Sequence, residues 1–346
     1  MINAHRFLIA GLLAALTTLS YGQDMPGRAA QGPEAPGREA QGQGTAGPAE
    51  RRFDGCPSDR IAAAFDDVAR GGVLDPGLRR WIFDPRAQAI EPYQVFDDVW
   101  QVGVCWVAAY AIRTPEGVVL IDTVHEPHVA TWLGNLRKVG IDPAEVRLVL
   151  ITHGHFDHAG GAYRLKPLAP KARFVMTQRG WNEAAESAAV SAGTPGAWQM
   201  IERDVVAKDG ERFTVGDVPF TVYETPGHTM GTASYSYPVR DGGHTYRAIT
   251  IGGLGLNAIE SSAQVAAYIA SIERIEAMTA RSTDPVTVHL TTHAFSNGQT
   301  ERALLNRQRP PGVVNVLVDP TGLRNQLETL RMAAQLRLVK EKAAGR

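Results

Sequence analysis

Three histidines and an aspartate fall within six residues in the run His153-Gly154-His155-Phe156-Asp157-His158. Imidazole nitrogens and carboxylate oxygens are the ligands that divalent cations such as zinc take from proteins. The apolar run Leu148-Val149-Leu150-Ile151 lies just upstream and Gly160-Gly161 just downstream. That pattern predicts a buried strand ending in a loop that holds metal ligands at a sheet edge. Two further histidines occupy comparable places. His228 follows Thr225-Pro226-Gly227 at the end of a predicted strand, and His293 lies just past another. His289 competes with His293, but it sits inside the strand pattern 286–290, so His293 is expected to be the ligand.

The spacing has a physical logic. His153 and His155 are two apart in extended backbone, so both point to one side. The turn that follows sends Asp157 and His158 to a neighbouring position. One cation can take His153, His155 and His228, and a second can take Asp157, His158 and His293. Three neutral nitrogens suit zinc and leave a fourth position open for water. Bound zinc brings that water to a pKa of about 7 and supplies hydroxide at neutral pH. The expected catalytic pair is Asp157 with the metal-bound hydroxide. Asp122 closes the strand pattern 118–121, where a carboxylate can hold the outer nitrogen of a ligand histidine and fix its tautomer. A turn-capping role is the alternative. His125 and His128 form an H-x-x-H pair expected at the surface or beside the ligands, and His244 is expected in solvent. Trp106, Tyr110, Trp181 and Trp198 are candidates for a pocket lining, with the core as their alternative.

Elements that position these residues can be read around them. Residues 53–90 are partly helical, with Ile61, Phe65 and Val68 at helical spacing. Strands are predicted at 95–96 and 99–104, with a hairpin of 107–112 and 118–121 about the turn 114–117. A helix over 127–138 has proline in its first turn and Gly140 after its end. Strands follow at 148–151 and 174–176, a second hairpin at 213–215 and 218–224, and a strand at 248–251. An amphipathic helix presents Val265, Tyr268, Ile269, Ile272, Ile275 and Met278 on one face, capped by Ser261 or Ser262. A strand at 286–290 and a final helix from about Thr321, carrying Leu323, Leu327, Leu330 and Leu336, complete the chain. Alternating strands and helices, with hairpins in each half, predict an α+β protein of αββα sandwich type.

The chain has 346 residues, 44% of them hydrophobic, with a formal net charge of -1 and no long basic block. A large core is feasible and nucleic acid is not the expected partner. A small-molecule substrate is. Residues 1–22 have the pattern of a signal peptide, with Arg6 before the apolar stretch 7–19 and small residues around Gly22, the expected cleavage site. The stretch is short for a membrane span, and none is predicted later. Residues 23–52 form a Pro/Gly/Gln-rich linker expected to be disordered. The hydrolase-like domain is expected over 53–346, its core over about 93–340. This predicts a periplasmic or secreted protein. There, Cys56 and Cys105 can form one disulfide, with two separate buried thiols as the alternative.

The motif His153-Gly154-His155-Phe156-Asp157-His158, with Pro226-Gly227-His228 and His293, resembles the metallo-β-lactamase superfamily. The likeness runs from about Tyr93 to the C-terminus. No Cys follows His228, unlike the first subclass of class B β-lactamases, and His153 stands where the second has Asn. The stretch His228-Thr229-Met230-Gly231-Thr232-Ala233, the long helix 263–279, the segment Leu290-Thr291-Thr292-His293 and the final helix are similar to the third subclass. The resemblance implies the αββα fold and a two-zinc site with the ligand trios given above. Glyoxalase-II-like and lactonase-like relatives carry a bridging Asp before the long helix, where this chain reads Ile251-Gly252-Gly253-Leu254-Gly255. Diiron flavoprotein relatives carry an acidic residue in place of His155. Third-subclass enzymes place hydroxyl side chains near 253–255 to bind the substrate carboxylate. Here Gly253 and Gly255, through backbone amides, are the expected substrate contacts. The implied function is a secreted zinc β-lactamase. A hydrolase of lactones, esters or phosphoesters is the alternative.

Overall fold

The structure is a computed structural model and describes residue 53 and residues 55–69, 75–194 and 196–345. The expected signal peptide and linker, residues 1–52, lie outside the described residues. Among the described residues three helices come first: α1 (Ser58–Ala69), α2 (Pro76–Phe83) and α3 (Pro85–Gln88). Asp75 starts α2 by accepting from Gly77 N and Leu78 N, with Pro76 in the first turn, where its missing N–H costs nothing. Strands β1 (Tyr93–Phe96), β2 (Val99–Gln101), β3 (Tyr110–Thr114) and β4 (Gly117–Ile121) pair antiparallel in sequence order. Helix α4 (Val129–Lys138) then crosses to β5 (Val146–Leu150), which runs parallel to β4. The short helices α5 (Phe156–Ala159) and α6 (Ala162–Leu165) lead to β6 (Arg173–Thr177). Helix α7 (Gln178–Ser191) leads to β7 (Val205–Ala207), and both strands extend the parallel half of a seven-stranded sheet.

The second sheet has five strands. β8 (Arg212–Val215), β9 (Val218–Glu224), β10 (Ala233–Asp241) and β11 (His244–Thr250) pair antiparallel. Helix α8 (Ser262–Thr279) returns the chain to β12 (Val286–His289), parallel to β11, and α9 (Gln299–Asn306) and α10 (Pro320–Ala343) follow. Ser261 caps α8 by accepting from Gln264 N. Because β9 and β11 both run opposite to β10, the C-terminal ends of β9, β11 and β12 share one edge.

Apolar alternation places a core between the sheets, where Tyr110, Ile121, Leu148 and Leu150 meet Phe220, Val222, Tyr235 and Tyr237. The outer face of the first sheet is covered by Trp132 and Leu136 of α4, Trp181 and Ala184 of α7, and Ile61, Leu78 and Trp81. The outer face of the second carries Val265, Tyr268, Ile272 and Ile275 of α8 with Leu323 and Leu327 of α10. The protein is therefore an αββα sandwich. The sequence reading lacks α7, β7 and α9 and extends β2 to 104 where it ends at Gln101, and two further differences have a clear physical cause. Strand β10 has no counterpart among the predicted elements, because it is central and eight of its nine residues are buried or half-buried, which erases alternation. Leu336 leaves the apolar face of α10 and is 67% exposed, since the contact with α8 favours Leu323, Leu327 and Ala334. Cys56 and Cys105 form a disulfide, which ties the start of α1 to the loop after β2.

Candidate metal centre

Strand β5 ends at Leu150, and the chain then enters the ligand run. His153 is buried, His155 stands at the N-cap of α5, and Asp157 and His158 lie within that short helix. His228 follows β9 and His293 follows β12, so both arrive from the second sheet across the shared edge. The six expected ligands fall into two compact trios: His153, His155 and His228, and Asp157, His158 and His293. In the first, His155 Nδ1 lies 3.1 Å from His153 Nε2 and 3.1 Å from His228 Nε2. In the second, His158 Nε2 lies 3.2 Å from Asp157 Oδ2 and 3.3 Å from His293 Nε2, and Asp157 Oδ2 to His293 Nε2 is 3.7 Å. Donors arranged tetrahedrally about zinc, each about 2.0–2.1 Å from it, stand about 3.3 Å apart. The donor sets match that spacing.

The outer ring nitrogens test the fit independently. His228 Nδ1 is 2.6 Å from Gly255 O, and His293 Nδ1 is 2.8 Å from Trp106 O. A carbonyl only accepts, so each ring donates outward and turns a lone pair inward. His158 Nδ1 lies 2.9 Å from Asp122 Oδ2. The same carboxylate takes Thr152 N at 2.7 Å and the Thr152 hydroxyl at 2.8 Å. That hydroxyl in turn lies 3.0 Å from His153 Nδ1 and accepts its proton. Asp122 thus contacts a residue of the second trio directly and one of the first through Thr152. It is fully buried and holds a left-handed backbone, φ 57°. The inward nitrogens of each trio stand close enough to share a bound cation, or a proton in its place.

Electrostatics agree. Burial, and then the neighbouring imidazoles, hold His153 well below the usual imidazole range and lower His155 to about 3. Burial likewise lowers His228, and lowers His293 to about 4. These rings stay neutral, the form that binds metal. At His158 burial opposes the cation, but Asp157 and Asp122 outweigh it and raise the ring. Asp157 is held below the carboxylate range by His158, against burial.

Other expected residues fall elsewhere. His125 and His128 are buried rather than at the surface. His125 packs edge-on against Phe83, Trp106 and Phe156, and His128 Nε2 meets Ile82 O at 2.7 Å. His244 is exposed. His289 bonds Gln326 Oε1 at 2.9 Å and joins neither trio. Gly253 has φ +62°, and a β-carbon there would fall 2.3 Å from the His228 ring, so both 253 and 255 line the back of His228. Of the four candidate pocket aromatics, Trp106 lies beside the centre, 5.6 Å from the His293 ring. Tyr110 and Trp181 are core residues, and Trp198 packs on the helical layer. Sequence reasoning missed Thr152, although it directly precedes the motif. It also missed Phe65 and Phe295, which stack on each other at 5.1 Å beside Trp106 and His293. Helical spacing puts Phe65 on the apolar face of α1, but nothing local places that face beside Trp106 and Phe295.

Comparison with known proteins bears on this centre. The sequence pattern of the metallo-beta-lactamase superfamily matches residues 102–318. The fold is similar to BJP-1, a subclass B3 metallo-beta-lactamase of Bradyrhizobium japonicum, with a TM-score of 0.64 and 25% identity over 75% of this chain and 97% of that one. It is also similar to the FEZ-1 metallo-beta-lactamase from Legionella gormanii, with a TM-score of 0.65 and 26% identity over 74% of this chain and 98% of that one. Among curated sequences, the type A flavoprotein fprA of Rhodobacter capsulatus is 32% identical over 136 residues, 39% of this chain and 27% of that protein. The chain thus spans about a quarter of that relative's length.

Proposed function

The chain belongs to the metallo-β-lactamase superfamily, and from that premise we propose that it is a metal-dependent hydrolase that opens β-lactam rings at a two-zinc centre. The observation that carries the proposal is the pair of donor trios whose outer nitrogens are locked by Gly255 O, Trp106 O, Asp122 and Thr152. The likeness to subclass B3 enzymes over nearly their whole length supports the choice of substrate. His153, His155 and His228 would hold one zinc, and Asp157, His158 and His293 the other. When bound, such ions supply an activated water and polarise a carbonyl or phosphoryl oxygen.

The chain's own residues do the rest. Asp122 fixes the tautomers of His158 and, through Thr152, of His153. Asp157 keeps its charge in a buried place, the form a ligand of the second trio needs, and remains the proposed catalytic carboxylate beside the activated water. Trp106, Phe156 and Phe295 form an apolar flank on the His293 side that limits water and receives an apolar part of the substrate. Backbone N–H groups of the loop at Gly253 and Gly255 remain the proposed contacts for a substrate carboxylate. The disulfide suits an oxidising compartment, in keeping with the proposed periplasmic or secreted location.

A second reading, hydrolysis of lactones, esters or phosphoesters, is favoured by one observation. The His228 ring fills the space beside Gly253, so no hydroxyl side chain fits there to take a drug carboxylate. The same packing bars a bridging carboxylate at that position. Zinc-loaded protein should hydrolyse a carbapenem and a cephalosporin, each followed by loss of lactam absorbance, while His153→Ala should not. Turnover no greater than that control, together with turnover of a lactone or phosphodiester, would sink the β-lactamase proposal and establish the second.

A further inference from the structure

Helix α7 lies against both loops of the first trio with almost no side chain between. A β-carbon on Gly154 would fall 2.5 Å from Ala184 N and 2.9 Å from Gly180 O, and one on Gly231 would fall 2.2 Å from Gly180 N. Backbone therefore meets backbone on either side of the trio: at Gly154, between His153 and His155, and at Gly231, just past His228. Thr177, the cap of α7, donates its hydroxyl to Gly231 O at 2.7 Å and accepts from Gly180 N at 2.9 Å. A second side chain of α7 reaches the same glycine. Glu183 Oε1 accepts from Gly231 N at 2.9 Å, and its Oε2 is buried without a hydrogen-bond partner. Gly231 is thus gripped at both its N–H and its carbonyl.

The turn so gripped is the one that presents His228. Within it, Gly227 N bonds Thr229 O at 2.8 Å, Thr229 N bonds the Thr232 hydroxyl at 3.1 Å, and Thr225 N closes on Thr232 O at 2.9 Å. A half-buried carboxylate facing a loop is costly to desolvate, and alanine would leave the helix itself intact. Besides Gly231 N, the Thr229 hydroxyl and the Met230 N–H of the same turn face this carboxylate. We infer that Glu183 is a positioning residue of the first metal site, which fixes the orientation of His228 by holding Gly231 N. This rests on the two-zinc reading above.

The test reads metal directly in the full chain. Zinc affinity is measured by chelator competition, and cobalt(II) replaces zinc as an absorption probe of ligand geometry. Glu183→Ala is expected to weaken one of the two sites by about tenfold or more, the range seen when outer-shell partners of metal ligands are removed, and to alter the cobalt spectrum. Glu183→Gln keeps an oxygen for Gly231 N and is expected to retain most of the parental affinity. Parental affinity and spectrum in a folded Glu183→Ala overturns the inference, and so does an equal loss in Glu183→Gln. Should alanine prevent folding, Glu183→Asp serves in its place. Its shorter carboxylate keeps the charge but falls short of Gly231 N, so a loss is expected and full retention overturns the inference. A parental chain that binds no zinc overturns the metal reading along with it.

Discussion

Three residues separate His289 from His293, and their surroundings divide the labour between them. His293 points a lone pair toward Asp157 and His158, while His289 is sealed against Gln326 at the end of β12. Burial lowers His289 to about 4 from an ordinary 6.5, against its Gln326 bond and with help from the Arg302 charge. Between those values the unfolded chain binds a proton that the folded chain refuses. Stability is therefore greatest above about pH 6.5 and falls as the pH drops toward about 4, by up to about 1.4 kcal/mol per pH unit for this one ring. Denaturant unfolding at several pH values should show His289→Gln with a shallower acid slope than the parent. An unchanged slope would mean the ring does not carry that dependence. At this scale the ligands were legible because each sits at the end of an apolar run. The braces were less so: Asp122 was suggested by its place after β4, but Thr152, Trp106 O and Gly255 O act through tertiary approach, which no spacing encodes.

Helix α1 shows what an element gains from a covalent tether. It is bound at its start by the Cys56–Cys105 disulfide and by Ser58, whose N–H and hydroxyl donate to Glu301 of α9 at 2.9 and 2.8 Å. Held there, Phe65 lies parallel to Trp106 at 6.3 Å and to Phe295 at 5.1 Å. The bond spans 49 residues of sequence, so its closure restricts the unfolded chain by the equivalent of about 4 kcal/mol. Replacing both cysteines with serine should lower unfolding stability by about 2–4 kcal/mol, read from denaturant midpoints with an unchanged slope. A loss within error would show that α1 docks by packing alone. Elements with clean alternation or helical spacing were legible, as with the hairpin of β8 and β9 and the face of α8. Strand β10 was not, because it is covered on both sides and carries Pro238. The structure tolerates that proline where β9 pairing has already ended at Ser236.

At the scale of the whole molecule, each donor trio draws on both halves of the sandwich. His153 and His155 come from the first sheet and His228 from the second; Asp157 and His158 come from the first and His293 from the second. A cation in either trio would bind only the folded arrangement, so its binding free energy adds to folding. With free cation at about 100 times its Kd, each site would contribute about 2.7 kcal/mol, and both together would raise the melting temperature by roughly 9 °C. Calorimetry before and after dialysis against a chelator checks this, and an unchanged melting temperature would refute it. The seam between the two sheets is then also where the chain's lifetime is decided. If cations fill both trios, their removal would loosen first the loops after β5, β9 and β12, and limited proteolysis would read that loss there.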